Sequence, residues 1–158
     1  MLNFRRGTDI DIEGIEKLEQ ENFSDSWTRR GISDTLEQKQ AFVIVAEEDT
    51  SVLGYCIVYY VMDEAEIARI AVDKNTRRRG IGKGLLDFVS QCCEEYGVER
   101  LLLDVRESND GAIRFYEAYG FGVDGIRKNF YESPKEHAVL MSKELTTFST
   151  MMDERKGI

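Results

Sequence analysis

Apolar positions recur along this chain in two periods, and the switches between them mark its elements. Residues 2–7 read as a short strand, and from Asp9, a candidate N-cap, Ile12, Ile15 and Leu18 return at helical spacing as far as Phe23. Ser24-Asp25-Ser26 makes a turn, and Trp27 leads into a second helix carrying Ile32 and Leu36. Phe23 and Trp27 flank that turn, as core aromatics or as the lining of a pocket. Two apolar runs, 41–46 and 52–61, are separated by the polar string 47–51 and predict a hairpin. A third strand spans 64–72. After a basic, glycine-rich stretch, Ile81, Leu85, Phe88, Val89, Cys92 and Tyr96 set out a helix that Gly97 closes. Leu101-Leu102-Leu103-Asp104-Val105 has the continuous apolar character of a strand buried on both faces. Strand, helix, strand in this order predicts a right-handed parallel crossover. Ser108-Asn109 then caps a helix holding Ala112, Ile113, Phe115, Tyr116 and Tyr119, which Gly120 stops. Two closing strands, about 121–131 and 136–144, complete an α/β pattern with a mixed sheet.

A chain of 158 residues fits one domain with one substantial core, placed at 1–145, and 146–158 read as a C-terminal tail. The N-terminus carries Arg5 and Arg6 where a secretory leader needs an apolar run. The longest apolar run, 52–62, is too short to cross a bilayer as a helix. No membrane association is expected, and the natural location is cytoplasmic. Three cysteines, two of them neighbours in a predicted helix, suit reduced core thiols. His137 is the lone histidine, which excludes multi-histidine metal sites, and no G-x-S-x-G elbow exists to make it a triad base. It reads as structural or exposed, and no metal is expected. A net charge of −9 argues against general nucleic-acid binding and leaves room for a cationic substrate. Oligomeric state is not encoded in any of these patterns.

Against that acidic background one basic corner stands out: Arg77-Arg78-Arg79-Gly80-Ile81-Gly82-Lys83-Gly84. A strand ends before it and a helix begins inside it, so orphan N–H groups and the positive end of a helix dipole converge there. Glycines let a ligand approach the backbone, and the corner suits a pyrophosphate. It is not a P-loop, because Gly84 follows Lys83 where a Ser or Thr would hold magnesium. Nor is its G-x-G-x-G spacing the dinucleotide fingerprint.

What the corner does match is R/Q-x-x-G-x-G/A, as Arg77-x-x-Gly80-x-Gly82, which resembles the acetyl-CoA signature of the GNAT superfamily of N-acetyltransferases. The string from Asn109 to Phe121 resembles the second hallmark of that family, N-x-x-A-x-x-x-Y-x-x-x-G-F, at the usual distance. Ile70-Ala71-Val72-Asp73, Val105-Arg106-x-Ser108-Asn109 and Phe23…Trp27 look like the RimI branch, whose members acetylate the N-terminal alanine of a small-subunit ribosomal protein. The resemblance implies a bent mixed sheet of about seven strands with about four helices, its fourth and fifth strands parting to admit acetyl-CoA. It implies that backbone groups of Ile70, Ala71 and Val72 pair with the pantetheine arm. It implies that N–H groups from Arg77 through Arg78, Arg79, Gly80, Ile81 and Gly82, with Lys83, hold the pyrophosphate. Asn109 would also contact the coenzyme, alongside or instead of capping its helix. Tyr116 takes the general-acid position near the thioester sulfur, against a plain core role.

Two carboxylates compete for the base. Asp104 stands where the RimI branch has glutamate, one methylene longer; its alternative is an ion pair with Arg106. Glu66 stands where the histone-acetyltransferase branch has its base; its alternative is a strand charge facing water. An α-amine, with a pKa near 8, is roughly a tenth neutral at pH 7, and a lysine amine under a thousandth. A modest, water-relayed carboxylate therefore suits protein N-termini. The expected activity is direct acetyl transfer to a protein N-terminus, possibly that of a ribosomal protein. A small amine such as a polyamine or aminoglycoside is the alternative acceptor, and a non-catalytic acetyl-CoA sensor the third reading.

Overall fold

The structure, a computed structural model, describes residues 1–145; the tail expected over 146–158 lies outside them. Chain order is β1 (Asn3–Arg6), α1 (Ile12–Asn22), α2 (Arg29–Glu37), β2 (Ala41–Glu48), β3 (Ser51–Val61), β4 (Glu64–Val72), α3 (Ile81–Glu95), β5 (Arg100–Arg106), α4 (Asp110–Tyr119), β6 (Gly122–Tyr131) and β7 (Glu136–Glu144). Short 3-10 turns at Asp9–Asp11 and Lys74–Thr76 lead into α1 and out of β4. The strands form one seven-stranded sheet in the order β1-β2-β3-β4-β5-β7-β6. The mixed α/β class expected from the pattern is the one observed.

Three local details differ from expectation. The helical segment is capped at Thr8, not Asp9, and the Asp11 carboxylate accepts the Thr8 N–H at 2.8 Å while Arg5 grips both its oxygens at 2.8 Å. The β2–β3 turn is shorter than the polar string 47–51. Asp49 and Thr50 both take positive φ (50° and 68°), the geometry of a two-residue hairpin turn, and Glu47 and Glu48 stay in the ladder. In β5, Leu101, Leu103 and Val105 are buried while Leu102, Asp104 and Arg106 are only half-buried. One face of β5 is therefore open enough for a carboxylate to meet solvent, contrary to the doubly buried strand its apolar run suggested.

The described residues divide into two compact units. The first comprises Met1–Tyr59 and Ile67–Val89, the second Tyr60–Glu66 and the described chain from Ser90. In the first unit, Ile15, Leu18 and Ile32 from α1 and α2 pack on Val43, Val45, Tyr55, Ile57 and Ala71 of the sheet. Each Ile, Leu or Val among them contributes about 1.5–3 kcal/mol of burial. Phe4 of β1 lies directly on α3, where a β-carbon on Gly84 would sit 2.1 Å from its ring. In the second unit, β7 lies between β5 and β6, antiparallel to both. α4 starts at Asn109, whose Oδ1 accepts the Ala112 N–H at 3.1 Å, and ends at Gly120 (φ 117°). His137 accepts the Asn129 N–H on Nδ1 at 2.9 Å and so serves the β6–β7 hairpin. Cys56, Cys92 and Cys93 are all buried and in no disulfide, and burial raises the Cys93 thiol to about 12, far from a reactive thiolate.

Candidate functional site

The basic corner belongs to the first unit, and its backbone is more distinctive than its charges. Arg78 takes φ 71° and Gly80 φ 76°, two left-handed residues flanking Arg79. Such alternation turns successive N–H groups toward one side and makes an anion-binding concavity. Backbone bonding resumes at Gly84, which donates to the Gly80 carbonyl at 3.0 Å. Among the described residues, no N–H from Arg77 to Lys83 is committed to a protein acceptor. A β-carbon on Gly80 would meet nothing within 4 Å, so the backbone is open to approach at that position.

Most of the side-chain charge there already has a partner. Arg77 donates to Asn22 Oδ1 at 2.9 Å, Arg79 pairs with Glu48 through both nitrogens at 3.1 and 2.7 Å, and Lys83 bonds Asp87 one turn on at 3.1 Å. Arg78 has no side-chain partner among the described residues. Ile81 is buried and anchors the first turn of α3, leaving its N–H, with that of Gly82, to face outward from the helix end. Upstream on β4, Ala71 is buried and its carbonyl lies against Gly54 of β3, while Ile70 and Val72 are half-exposed.

A second feature of the first unit was missed in the sequence. Glu19, fully buried on α1, accepts the Trp27 N–H at 2.8 Å and the Tyr55 hydroxyl, and pairs with Arg69 Nε at 3.3 Å. Arg69 in turn donates to the Asp25 carbonyl at 2.7 Å and lies 4.0 Å over the Phe23 ring. Burial and the Glu19 charge keep the Tyr55 phenol protonated far above its ordinary range. Two side chains thus fix the turn between α1 and α2, and Phe23 and Trp27 pack against the core of this unit. The signal was a glutamate on the apolar stripe of α1, four residues after Ile15.

The second unit holds the other candidates. Tyr116 is buried at 7 % exposure, its ring edge-on to Phe121 with centroids 5.6 Å apart. Asn109 caps α4 as described, so that alternative is realised, and its amide nitrogen is a separate group from the capping oxygen.

Glu66 and Asp104 are brought together on one face of the sheet. Glu64 and Glu66 project from β4, and Arg100, Asp104 and Arg106 from β5, the Glu64–Arg100 ion pair at 3.5 Å confirming a shared side. Across β5 and β7, Asp104 is opposite Leu140, and Arg106 opposite Ala138. Arg106 does not pair with Asp104; it holds Glu136 at 3.3 Å and the carbonyls of Pro134 and Glu132 at 2.9 and 3.1 Å. Arg100 is engaged with Glu64, Glu144 at 3.4 Å and Asp124 at 3.6 Å. Glu66 and Asp104 form no ion pair or hydrogen bond among the described residues. Glu66 is exposed and Asp104 half-buried; partial desolvation raises both carboxyls above the ordinary carboxylate range, the neighbouring Asp104 charge raises Glu66 further, and Arg127 on β6 works against both shifts. The face therefore presents two carboxylates that lack an ion-pair partner among the described residues, the charge of Asp104 being felt at Glu66.

Among the described residues, no three His, Cys, Asp or Glu side chains are grouped to hold a metal ion, and no helix is long and apolar enough to cross a membrane. A model of the acetyltransferase (GNAT) family matches residues 12–121. The chain is 35 % identical over 132 residues to the putative ribosomal protein bS18-alanine N-acetyltransferase of Bacillus subtilis, covering 83 % of this chain and 87 % of that protein. It is 31 % identical to the ribosomal protein bS18-alanine N-acetyltransferase of Salmonella typhimurium, covering 84 % and 90 %. The crystal structure of the Escherichia coli ribosomal-protein-S18-alanine N-acetyltransferase superposes with a TM-score of 0.84 at 28 % identity, covering 92 % of this chain and 94 % of that one. Ard1 from Thermoplasma volcanium superposes with a TM-score of 0.85 at 31 % identity, covering 91 % and 97 %.

Proposed function

The chain belongs to the acetyltransferase (GNAT) family and is an acetyl-transferring enzyme; from that premise we propose that it moves acetyl from acetyl-CoA directly to the α-amine of a protein N-terminus. A ribosomal protein is the acceptor class its relatives' names support.

The residues present fit the coenzyme. Uncommitted N–H groups from Arg77 to Lys83, the open space over Gly80 and the free guanidinium of Arg78 together suit a pyrophosphate. Ile70, Ala71 and Val72 offer strand backbone to an extended pantetheine arm, and the Asn109 amide is a further donor. Acetyl-CoA brings the acetyl group already activated as a thioester.

The chain's own part is to position and to move protons. The acceptor arrives as an ammonium ion, which the underpaired carboxylates of Glu66 and Asp104 attract. One of them takes the ammonium proton, directly or through a water, and frees the amine lone pair for attack. Both sit above the ordinary carboxylate range, closer in affinity to an α-ammonium near 8 than an unperturbed carboxylate would be. Tyr116 carries a phenol hydroxyl that can donate a proton to the departing sulfur. Backbone N–H groups beside the thioester carbonyl would stabilise the oxyanion.

The carboxylate pair is the observation that carries this reading. A turnover screen with acetyl-CoA over alanine-starting peptides, N-terminally blocked lysine peptides and polyamines tests it. The α-amine peptides should be acetylated with a higher kcat/KM than the other classes; equal or better turnover of polyamines would displace the protein acceptor.

A further inference from the structure

The polar face of the second unit is laid out as three charge groups, and the middle one is short of positive charge. At one end Arg100 sits among Glu64, Asp124 and Glu144, with Ser142 Oγ accepting at 3.1 Å. At the other end Arg106 is held by Glu136, two carbonyls and the ring of Tyr131, 4.4 Å from its guanidinium carbon. Glu136 is further tied to the Ser108 N–H. Between these groups lie Glu66 and Asp104, and neither flanking arginine reaches them.

The register places one more cation beside them. Ala138 of β7 is opposite Arg106 on one side and Arg127 on the other, and Leu140 is opposite Asp104 on one side and Gly125 on the other. Residues opposed in a ladder share a face, so Arg127 projects from the same side as Asp104. It stands one row along and two strand spacings, roughly 10 Å, across β7. Arg127 forms no ion pair among the described residues; its contact is the Phe130 ring at 5.0 Å. The other β7 titratable groups are accounted for: Glu136 and Glu144 are bound to the flanking arginines, while His137 and Lys143 alternate to the opposite face. On β6, Asp124 belongs to Arg100, and Lys128 follows Arg127 outside the paired register.

We infer that Arg127 is a positioning residue of the transfer reaction: its guanidinium is the charge that keeps the Glu66–Asp104 pair ionised and able to take the proton of an incoming ammonium. This rests on the proposed acetyl transfer to an α-amine. It adds that a residue on the edge strand, which touches no reacting atom, sets the pH at which the pair works. Arg127 raises the anionic fraction of the pair without neutralising it by contact, so the carboxylates stay open to the acceptor.

The test is Arg127→Gln beside Arg127→Lys, each checked for an unchanged melting profile, which the exposed position favours. In Arg127→Gln the acidic limb of kcat/KM for an alanine-starting peptide should move up by about half a pH unit, the size of one unit charge acting through a partly aqueous path. Arg127→Lys should restore the limb, and KM for acetyl-CoA should stay within twofold. Carboxyl carbon NMR titration of the Asp104 and Glu66 side chains should show the same displacement without turnover. That second readout separates the two ideas: a wild-type chain that acetylates no peptide sinks the transfer reading, yet the titration still decides Arg127. Titration curves and pH limbs that coincide with wild type in a folded Arg127→Gln variant overturn the inference.

Discussion

Under the proposed transfer, Glu66 and Asp104 carry a conflict between function and stability at single residues. Each carboxyl is held above the ordinary range, Glu66 by partial desolvation and by Asp104, Asp104 by partial desolvation, with Arg127 opposing. A carboxyl whose folded pKa is raised binds its proton more tightly in the folded chain than in the unfolded one. Stability is then lost as pH climbs from the ordinary carboxylate range, near 4, through the raised folded value. Glu66→Gln removes one such group and relieves its partner. Its melting temperature relative to wild type should therefore rise between pH 4 and pH 8, while turnover falls. A gap that stays constant or shrinks over that interval would show that the two charges do not strain the fold.

This juxtaposition was not legible in the chain. Glu66 and Asp104 were each singled out by resemblance, but 38 residues separate them, and no periodicity tells which rows of β4 and β5 adjoin. The Asp104–Arg106 ion pair does not form for a local reason: both lie on one face, but Glu136 and the 132–134 turn take the arginine first. Tyr116 sits where its helix pattern put it, and its buried ring edge-on to Phe121 fits a core residue as well as an acid.

At the scale of elements, β4 was legible to the residue, because Glu64 and Val72 are bounded by turn chemistry on both sides. α4 was equally clear from Asn109 and Gly120. The span of β6 was legible too, but its faces were not: bulges between Val123 and Gly125 and between Arg127 and Tyr131 break its alternation, so the face of Arg127 could not be counted from its neighbours. The Glu19–Arg69 link was invisible for another reason, since a buried ion pair depends on two elements 50 residues apart. The glycine corner separates into an open position, Gly80, and a packed one, Gly84. Gly80→Ala puts a β-carbon into open space at φ 76°, costing about 1–2 kcal/mol and disturbing the N–H row. Gly84→Ala drives a β-carbon into Phe4 and costs about 1–3 kcal/mol by overpacking. Urea unfolding with acetyl-CoA titration should find weakened coenzyme affinity for the first, and lost stability with near-normal affinity for the second. Coenzyme affinity unchanged in Gly80→Ala would remove the corner from the binding site.

Over the whole molecule, an acidic chain of net charge −9 keeps a basic corner in one unit and an underpaired acidic pair in the other. Under the proposed transfer the first suits a polyanionic coenzyme and the second a cationic amine, so each substrate would meet charge of the opposite sign. The most direct measurement is the pH dependence of kcat/KM for an alanine-starting peptide, in wild type and in Glu66→Gln/Asp104→Asn. Wild type should lose activity on an acidic limb that follows the pair. The double variant should turn over at least about 100-fold more slowly, the contribution expected of a positioned base, and lack that limb. A double variant that retains wild-type turnover and the same limb would contradict the assignment of the proton to these two carboxylates.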